Sequence, residues 1–338
     1  MIDLLVVGGG PGGLATATYA AQAGLEAVVV ERRRGTIDKA CGEGLMPHTV
    51  RHLEKLGVSP RGRAFHGITY LDARGSVRAD FRSGQGMGMR RTALYEALHD
   101  AARTAGVRMV HGDIDTVTQD ASSVRCGQFQ ARYLAAADGL HSPIRRSLGL
   151  DLPSRGRRRW GIRRHFEIAP WSDTVEVYWA RDIEAYVTPV AEDSVGVAVL
   201  TSRQGRLGDH LAKFPTLAAR LAGAPHGSDR AAGPLRQRVK SRASGRVMLV
   251  GDAAGYVDAL TGEGLGIAFG GAEILVNCVL ADTVDDYDRQ WRRMSRRYRA
   301  LTAGLLYASG VRPVRSLIVP AARALPTAFG GIVNLLAH

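Results

Sequence analysis

The stretch that most constrains this chain is its beginning. A continuous apolar run of strand length, residues 2–7, leads into Gly8-Gly9-Gly10-Pro11-Gly12-Gly13 and then into an alanine-rich helical stretch, residues 14–23, that Gly24 stops. A second apolar run, residues 27–30, ends in Glu31, eighteen residues after Gly13. Strand, glycine turn, helix and strand make a βαβ unit. Gly8, Gly10 and Gly13 carry the Gly-x-Gly-x-x-Gly spacing, which lets backbone approach a pyrophosphate at a helix N-terminus, where free N–H groups and the dipole favour negative charge.

Glu31 stands where a carboxylate can accept both hydroxyls of an adenosine ribose, an arrangement that disfavours a 2′-phosphate. FAD or NAD is therefore expected before NADP. Arg32, Arg33 and Arg34 follow directly, either as a solvated loop or as partners for adenine or phosphate.

Beyond this unit, residues 92–105 place Leu94, Leu98, Ala101 and Ala105 at helical spacing, with Gly106 as breaker. Short β-rich pieces fill residues 107–137 and end at Asp138-Gly139. Residues 160–168, 174–179, 185–190 and 195–200 are strand-like and predict a separate, largely antiparallel sheet. A helical stretch over 207–221 precedes a buried strand, 245–250, that runs into Gly251-Asp252, and a further helix starts near Gly264. Everything after Asp282 reads as helical, punctuated by Pro313, Pro320 and Pro326. No repeat or low-complexity linker appears, so the domains are expected to interleave. The nucleotide domain takes residues 1–65, 88–152 and 242–285, the sheet domain 66–87 and 153–241, and C-terminal helices 286–338.

At 338 residues and 45% hydrophobic content the chain can bury a two-domain core. Its net charge of +13 is arginine-borne, since only four basic residues are lysine. Such a balance admits nucleic acid, a membrane surface or anionic ligands as partners. Nucleic acid is not expected, because no basic stripe is interleaved with aromatic residues. Cys41, Cys126 and Cys278 form no C-x-x-C pair, which argues against disulfides or zinc and for a reducing cytoplasm. The N-terminus lacks the basic segment and long core of a signal peptide, and the apolar stretch 324–337 is short for a bilayer span. No Ser-His-Asp order, metal triad or P-loop is present.

Two further segments, Asp138-Gly139-Leu140-His141-Ser142-Pro143-Ile144-Arg145 and Gly251-Asp252-Ala253-Ala254-Gly255, combine with the glycine string. The three in order resemble the fingerprints of the flavoprotein hydroxylase superfamily, the para-hydroxybenzoate-hydroxylase-like proteins, over residues 1–285. The resemblance implies an α/β (α+β) architecture: a glutathione-reductase-like, Rossmann-type domain holding non-covalent FAD, interleaved with a β-sheet substrate domain, and NAD(P)H as a transient reductant. It assigns Gly8, Gly10, Pro11, Gly12, Gly13, Glu31 and Arg32 to the dinucleotide end and Asp252 to the ribityl chain, with helix N-capping as the alternative use of Asp252. Gly262, Gly264 and Leu265 fall at a helix start beneath the flavin pyrimidine, and Arg91 against the cofactor or merely at the surface. Asp138 and Gly139 would hold their loop and help NAD(P)H dock. Ala259 stands where relatives usually have proline.

The segment Asp38-Lys39-Ala40-Cys41-Gly42-Glu43-Gly44-Leu45-Met46-Pro47 is similar to a stretch of geranylgeranyl-reductase-like flavoproteins. There Cys41, Gly42 and Gly44 would lie beside the isoalloxazine; a small buried filler is the other use of Cys41. Tyr186-Val187-Thr188-Pro189 with Gly196 keeps the tyrosine, proline and glycine of that subgroup's second element but lacks its tryptophan and phenylalanine. Cys41 and Tyr186 are the catalytic candidates, Tyr186 facing a substrate cavity or simply packing the core. The departure favours an NAD(P)H-dependent monooxygenase that uses dioxygen on a hydrophobic, aromatic or polyketide-like molecule. The alternative is an ene reductase acting on an isoprenoid or quinone side chain; a non-enzymatic nucleotide-fold binding protein is the third class, and a halogenase is not expected.

Two basic features are left. Residues 155–159 with Arg163 and Arg164 are either a solvated rim of the sheet or a dock for NAD(P)H phosphates or an anionic, carrier-bound substrate. Arginines 299, 312, 315 and 323 mix with leucines and other aliphatic residues in a tail. That tail either packs on the nucleotide domain or makes a peripheral membrane contact at the mouth of a lipophilic pocket.

Overall fold

The computed structural model describes residues 1–338 except Pro60 and Arg155. Its first sheet runs in the order Ala243–Ser244, Val247–Leu249, Phe129–Ala136, Ile2–Val7, Ala27–Glu31, Arg108–His111. The four contacts among Val247–Leu249, Phe129–Ala136, Ile2–Val7, Ala27–Glu31 and Arg108–His111 are all parallel. Such strands are covered on both faces, and Leu4, Leu5, Val6, Val28 and Val29 are accordingly buried without alternation. Helices Pro11–Gln22, Arg91–Thr104 and Gly264–Leu280 pack on this layer, Pro11–Gln22 against both of the others.

The first helix starts at Pro11, three residues ahead of the predicted start, because Pro at the first helical position needs no N–H partner and the glycines after it bring no bulk to the turn. Close approach explains two of those glycines. A Cβ on Gly13 would lie 1.9 Å from the Gly8 carbonyl oxygen, and Gly8 itself sits at φ +107 with its missing Cβ 2.4 Å from the Ala137 oxygen.

The second sheet runs Arg230–Ala232, Trp160–Phe166, Ser194–Thr201, Glu184–Ala191, Val175–Trp179, Gly67–Asp72, Gly75–Asp80. Its contacts are antiparallel apart from Val175–Trp179 with Gly67–Asp72. Period-two alternation divides its faces. Ala185, Val187, Val195, Val197 and Val199 join a core with Leu207, Leu211, Phe214 and Leu217, while Tyr186, Thr188, Ala198 and Leu200 point to the other side. The expected helix over 207–221 is two, Leu207–Leu211 and Pro215–Leu221, since the residue before Pro215 is driven out of helical geometry.

Among the elements that escape the sequence pattern are helix Pro47–Lys55, strand Arg230–Ala232 and the hairpin Gly67–Asp72 with Gly75–Asp80. The C-terminal region is helical as expected. Tyr287–Gly310 packs on Gly264–Leu280, with the Trp291 ring against Gly271, and Pro326–Ala337 lies on strand Gly75–Asp80. Among the described residues no single helix is long and apolar enough to cross a membrane.

Candidate active site

Between the two sheets lies a cavity of about 280 Å³. Its nucleotide end is built from Gly10, Pro11, Gly12, Lys39 and the 251–252 turn, its far end from Ile68, Val177, Leu200, Leu235, Val333 and Leu336. A smaller pocket of about 40 Å³ continues it toward Glu31, Arg32, Arg33 and Asp138.

The nucleotide end is a row of donors and carboxylates. Glu31 accepts from the N–H of Gly9 at 2.7 Å and of Arg33 at 2.9 Å, which fixes its carboxylate at the edge of the small pocket. Nothing stands within 4 Å of a Cβ placed on Gly10, so the backbone there is open to a ligand. Asp138 binds the Ile144 N–H through one oxygen, securing its loop, while its other oxygen is buried without a partner. Enclosure pushes the Asp138 carboxyl up, and its hydrogen bonds to Ser142 and Ile144 oppose that.

Asp252 sits in the turn Gly251–Ala254 and caps no helix, contrary to the alternative use above, because the preceding Val250 occupies the cap position. Its accessible surface opens into the cavity, and the surrounding protein pushes its carboxyl up against the pull of Lys39, Arg91 and Arg145. Lys39 lines both pockets, and the same enclosure lowers its ammonium, seconded by Arg33 and offset by Asp252. Arg145 is buried and joins the two loops, donating to the carbonyls of Leu140 and Ala253 at 3.0 Å each. It was legible only as the end of a motif.

The loop carrying Cys41 is held from the other side. Glu43 is buried at φ +60, a conformation costly for a residue with a side chain. What holds it there is a set of cations and donors: the Arg91 N–H at 2.8 Å, His165 Nε2 at 2.7 Å and Arg163 Nε at 3.6 Å. Thr188 adds a bond to the Gly42 carbonyl at 2.8 Å. The spacing explains Gly196 as well, whose Cβ would fall 2.8 Å from a Glu43 carboxylate oxygen. Glu43, His165 and Arg163 were not among the expected site residues; a glutamate flanked by glycines was the available signal.

Cys41 lines the cavity, and burial pushes its thiol up, only partly offset by Arg91. It is therefore a neutral thiol and no thiolate nucleophile. Tyr186 also lines the cavity, but its hydroxyl donates to the Leu260 carbonyl at 3.0 Å and burial keeps it a phenol. It ties the sheet to the 258–262 loop. Tyr256, which sequence reasoning missed, faces the cavity beside Gly264, its ring edge 3.2 Å from where a Cβ there would stand. Gly42, Gly44, Gly139, Gly262, Gly264 and Leu265 all line the same cavity.

The basic cluster is mostly consumed by the fold. Arg159 pairs with Glu184 at 2.5 Å, Arg163 binds Asp38, and Arg164 holds Asp229 at 2.7 Å. Arg157 binds Ser202, and Arg155 lies outside the described residues.

An elongated cleft with ribose-height carboxylate, open glycine backbone, and unpartnered polar atoms at Asp138 Oδ1 and Arg91 Nε fits a flavin dinucleotide. Fold and site thus define an FAD-binding flavoprotein with a second, substrate-facing sheet. The chain belongs to the FAD binding domain family, whose model matches residues 1–281. Menaquinone reductase of Mycobacterium tuberculosis is 28% identical over 78% of this chain and 72% of its own length. The FAD-dependent monooxygenase terD of Aspergillus terreus is 25% identical over 91% of this chain and 62% of its own. Among solved structures, a flavoprotein/dehydrogenase from Cytophaga hutchinsonii superposes with a TM-score of 0.84 at 17% identity, covering 99% of this chain and 92% of that one. The protein is an FAD-dependent oxidoreductase of this family.

Proposed function

We propose that the protein reduces a carbon–carbon double bond in a lipophilic, isoprenoid-bearing molecule such as a quinone. The observation that carries this is the cavity's composition: the Cys41–Gly44 loop is clamped at one wall, and the opposite wall is aliphatic, from Ile68 and Val177 to Val333 and Leu336. Neither Tyr186, which is bonded to Leu260, nor Cys41, a neutral thiol, offers an ionised base there. An apolar wall orients a hydrocarbon chain and excludes water, which is what this chain's residues contribute. FAD, when bound, supplies the two-electron chemistry. Glu31, Gly10, Asp138 and Asp252 would hold it, with Lys39 and Arg91 balancing its phosphates. The menaquinone reductase relative supports the choice.

Monooxygenation of a hydrophobic aromatic molecule by an NAD(P)H-reduced cofactor is the second reading. It is favoured by the missing tryptophan and phenylalanine around Tyr186-Val187-Thr188-Pro189 and by the monooxygenase relative. The test incubates FAD-loaded, chemically reduced protein with menaquinone without oxygen and analyses products by mass spectrometry. A gain of two hydrogens in the side chain, retained after the quinol ring is reoxidised in air, is expected. Inertness under those conditions, with substrate-dependent dioxygen uptake and an added oxygen atom in air, would overturn the reductase in favour of the monooxygenase.

A further inference from the structure

We propose that the outer face of the C-terminal helices docks on an anionic phospholipid bilayer and so sets the cavity against the membrane. Among the described residues nine large hydrophobic side chains are exposed, and six of them, Tyr307, Val314, Leu317, Leu325, Ile332 and Leu335, lie in this one region. Their arrangement is periodic. Ala328, Ile332 and Leu335 are spaced by four and three residues, so they share one stripe of helix Pro326–Ala337, Leu325 precedes it at the N-cap, and all four are exposed. Exposure is 63% at Leu325, 49% at Ile332 and 43% at Leu335.

The opposite stripe faces inward. Phe329 packs on Tyr70, with ring centroids 4.8 Å apart, while Val333 and Leu336 line the cavity. One helix, about 10 Å thick, is therefore all that separates the cavity from this surface.

Charge selects the partner. From Arg289 to His338 the sequence contains nine arginines and no acidic residue. Arg312 and Arg323 are exposed on the short helices beside the stripe, and the exposed Arg82 is anchored next to it by its N–H bond to Asn334 at 2.7 Å. A rim whose helices carry arginines and no carboxylate would repel a second copy of itself, whereas anionic headgroups neutralise it. Helices Ile318–Ala324 and Pro326–Ala337 meet at a bend of 109°, and neither spans a bilayer alone, which fits a face lying in the interface. A lipid-borne substrate would then enter past Val333 and Leu336; only that consequence rests on the function proposed above.

The test needs no substrate. FAD-loaded protein is sedimented with vesicles of phosphatidylcholine, with and without phosphatidylglycerol, alongside the double variant Ile332→Glu, Leu335→Glu. Flavin absorbance checks that the variant is folded, and size-exclusion reports self-association. Partition is expected to be about tenfold stronger on the anionic vesicles and to fall about tenfold or more in the variant. Absence of binding, equal binding by variant and parent, or a dimer that the substitutions split without any vesicle binding would each overturn the proposal.

Discussion

The two ends of the cavity are built on different principles. At the nucleotide end the contacts are backbone N–H groups and short carboxylates, set within the first strand-turn-helix and two later loops, and each depends on a missing Cβ or a fixed turn. At the substrate end the wall is assembled from one face of a sheet and from a helix more than a hundred residues further along, and it depends on packing. The first is intolerant of a single methyl; the second is expected to tolerate volume-conserving change. Binding a constant cofactor beside a variable substrate calls for that division.

The sharpest way to break the comparison is at the joint between the two ends. Glu43→Ala would take the carboxylate from the half-buried His165 and the acceptor from the Arg91 N–H and leave Arg163 with Asp38 alone, and a loss of about 3–5 kcal/mol in denaturant unfolding is expected. Unchanged stability would show that the halves do not depend on this carboxylate. Next in size is Gly13→Ala, whose methyl would meet the Gly8 carbonyl; a cost of about 3 kcal/mol and a large loss of FAD retention on desalting are expected.

Asp258 gives a pH signature that belongs to the boundary between the ends. Burial raises its carboxyl to about 6 from the ordinary 3.8 of an aspartate, with Arg159 opposing and Glu184 adding to the rise. The folded state therefore resists ionisation, so this group's contribution is intact below about pH 4 and is lost as pH rises toward 6. Thermal or denaturant unfolding across that window should show Asp258→Asn gaining on the parent with rising pH, by at most about 3 kcal/mol. A constant difference would place the charge elsewhere.

The smallest effect is expected at Tyr186→Phe. Losing the hydroxyl bond to Leu260 should cost about 1 kcal/mol and leave FAD retention unchanged, with any kinetic change confined to the substrate. A collapse of turnover with binding intact would instead make that hydroxyl part of the chemistry.

How much of this was legible follows from sequence distance. The glycine turn, Glu31 and the Gly251-Asp252 turn are local patterns, and a spacing of a few residues is enough to place them. The alternating strands from Trp160 to Thr201 were legible for the same reason, while the sequence left Tyr186 open between cavity and core and the fold puts it on the cavity side. The Glu43 clamp was not, because His165 lies 122 residues away and nothing in either neighbourhood names the other. The arginines from 157 to 164 looked like free charge in the sequence. Three of them have carboxylate partners that only folding supplies, Glu184, Asp38 and Asp229. Helix Pro47–Lys55 is short and polar on one side, so its periodicity spans too few turns to stand out.

Glu184 carries a last consequence. Its carboxylate is buried between Arg159 of its own sheet and Arg315 of the C-terminal region, and Arg315 also donates to the carbonyls of Ala180, Ile183 and Ser309. The tail is thus not a portable appendage. A chimera that imports the last helices of another family member without an arginine at that place would leave Glu184 with Arg159 alone and the carbonyls of Ala180 and Ile183 without their donor, so natural exchange of tails between lineages would have to carry both ends of the pair together.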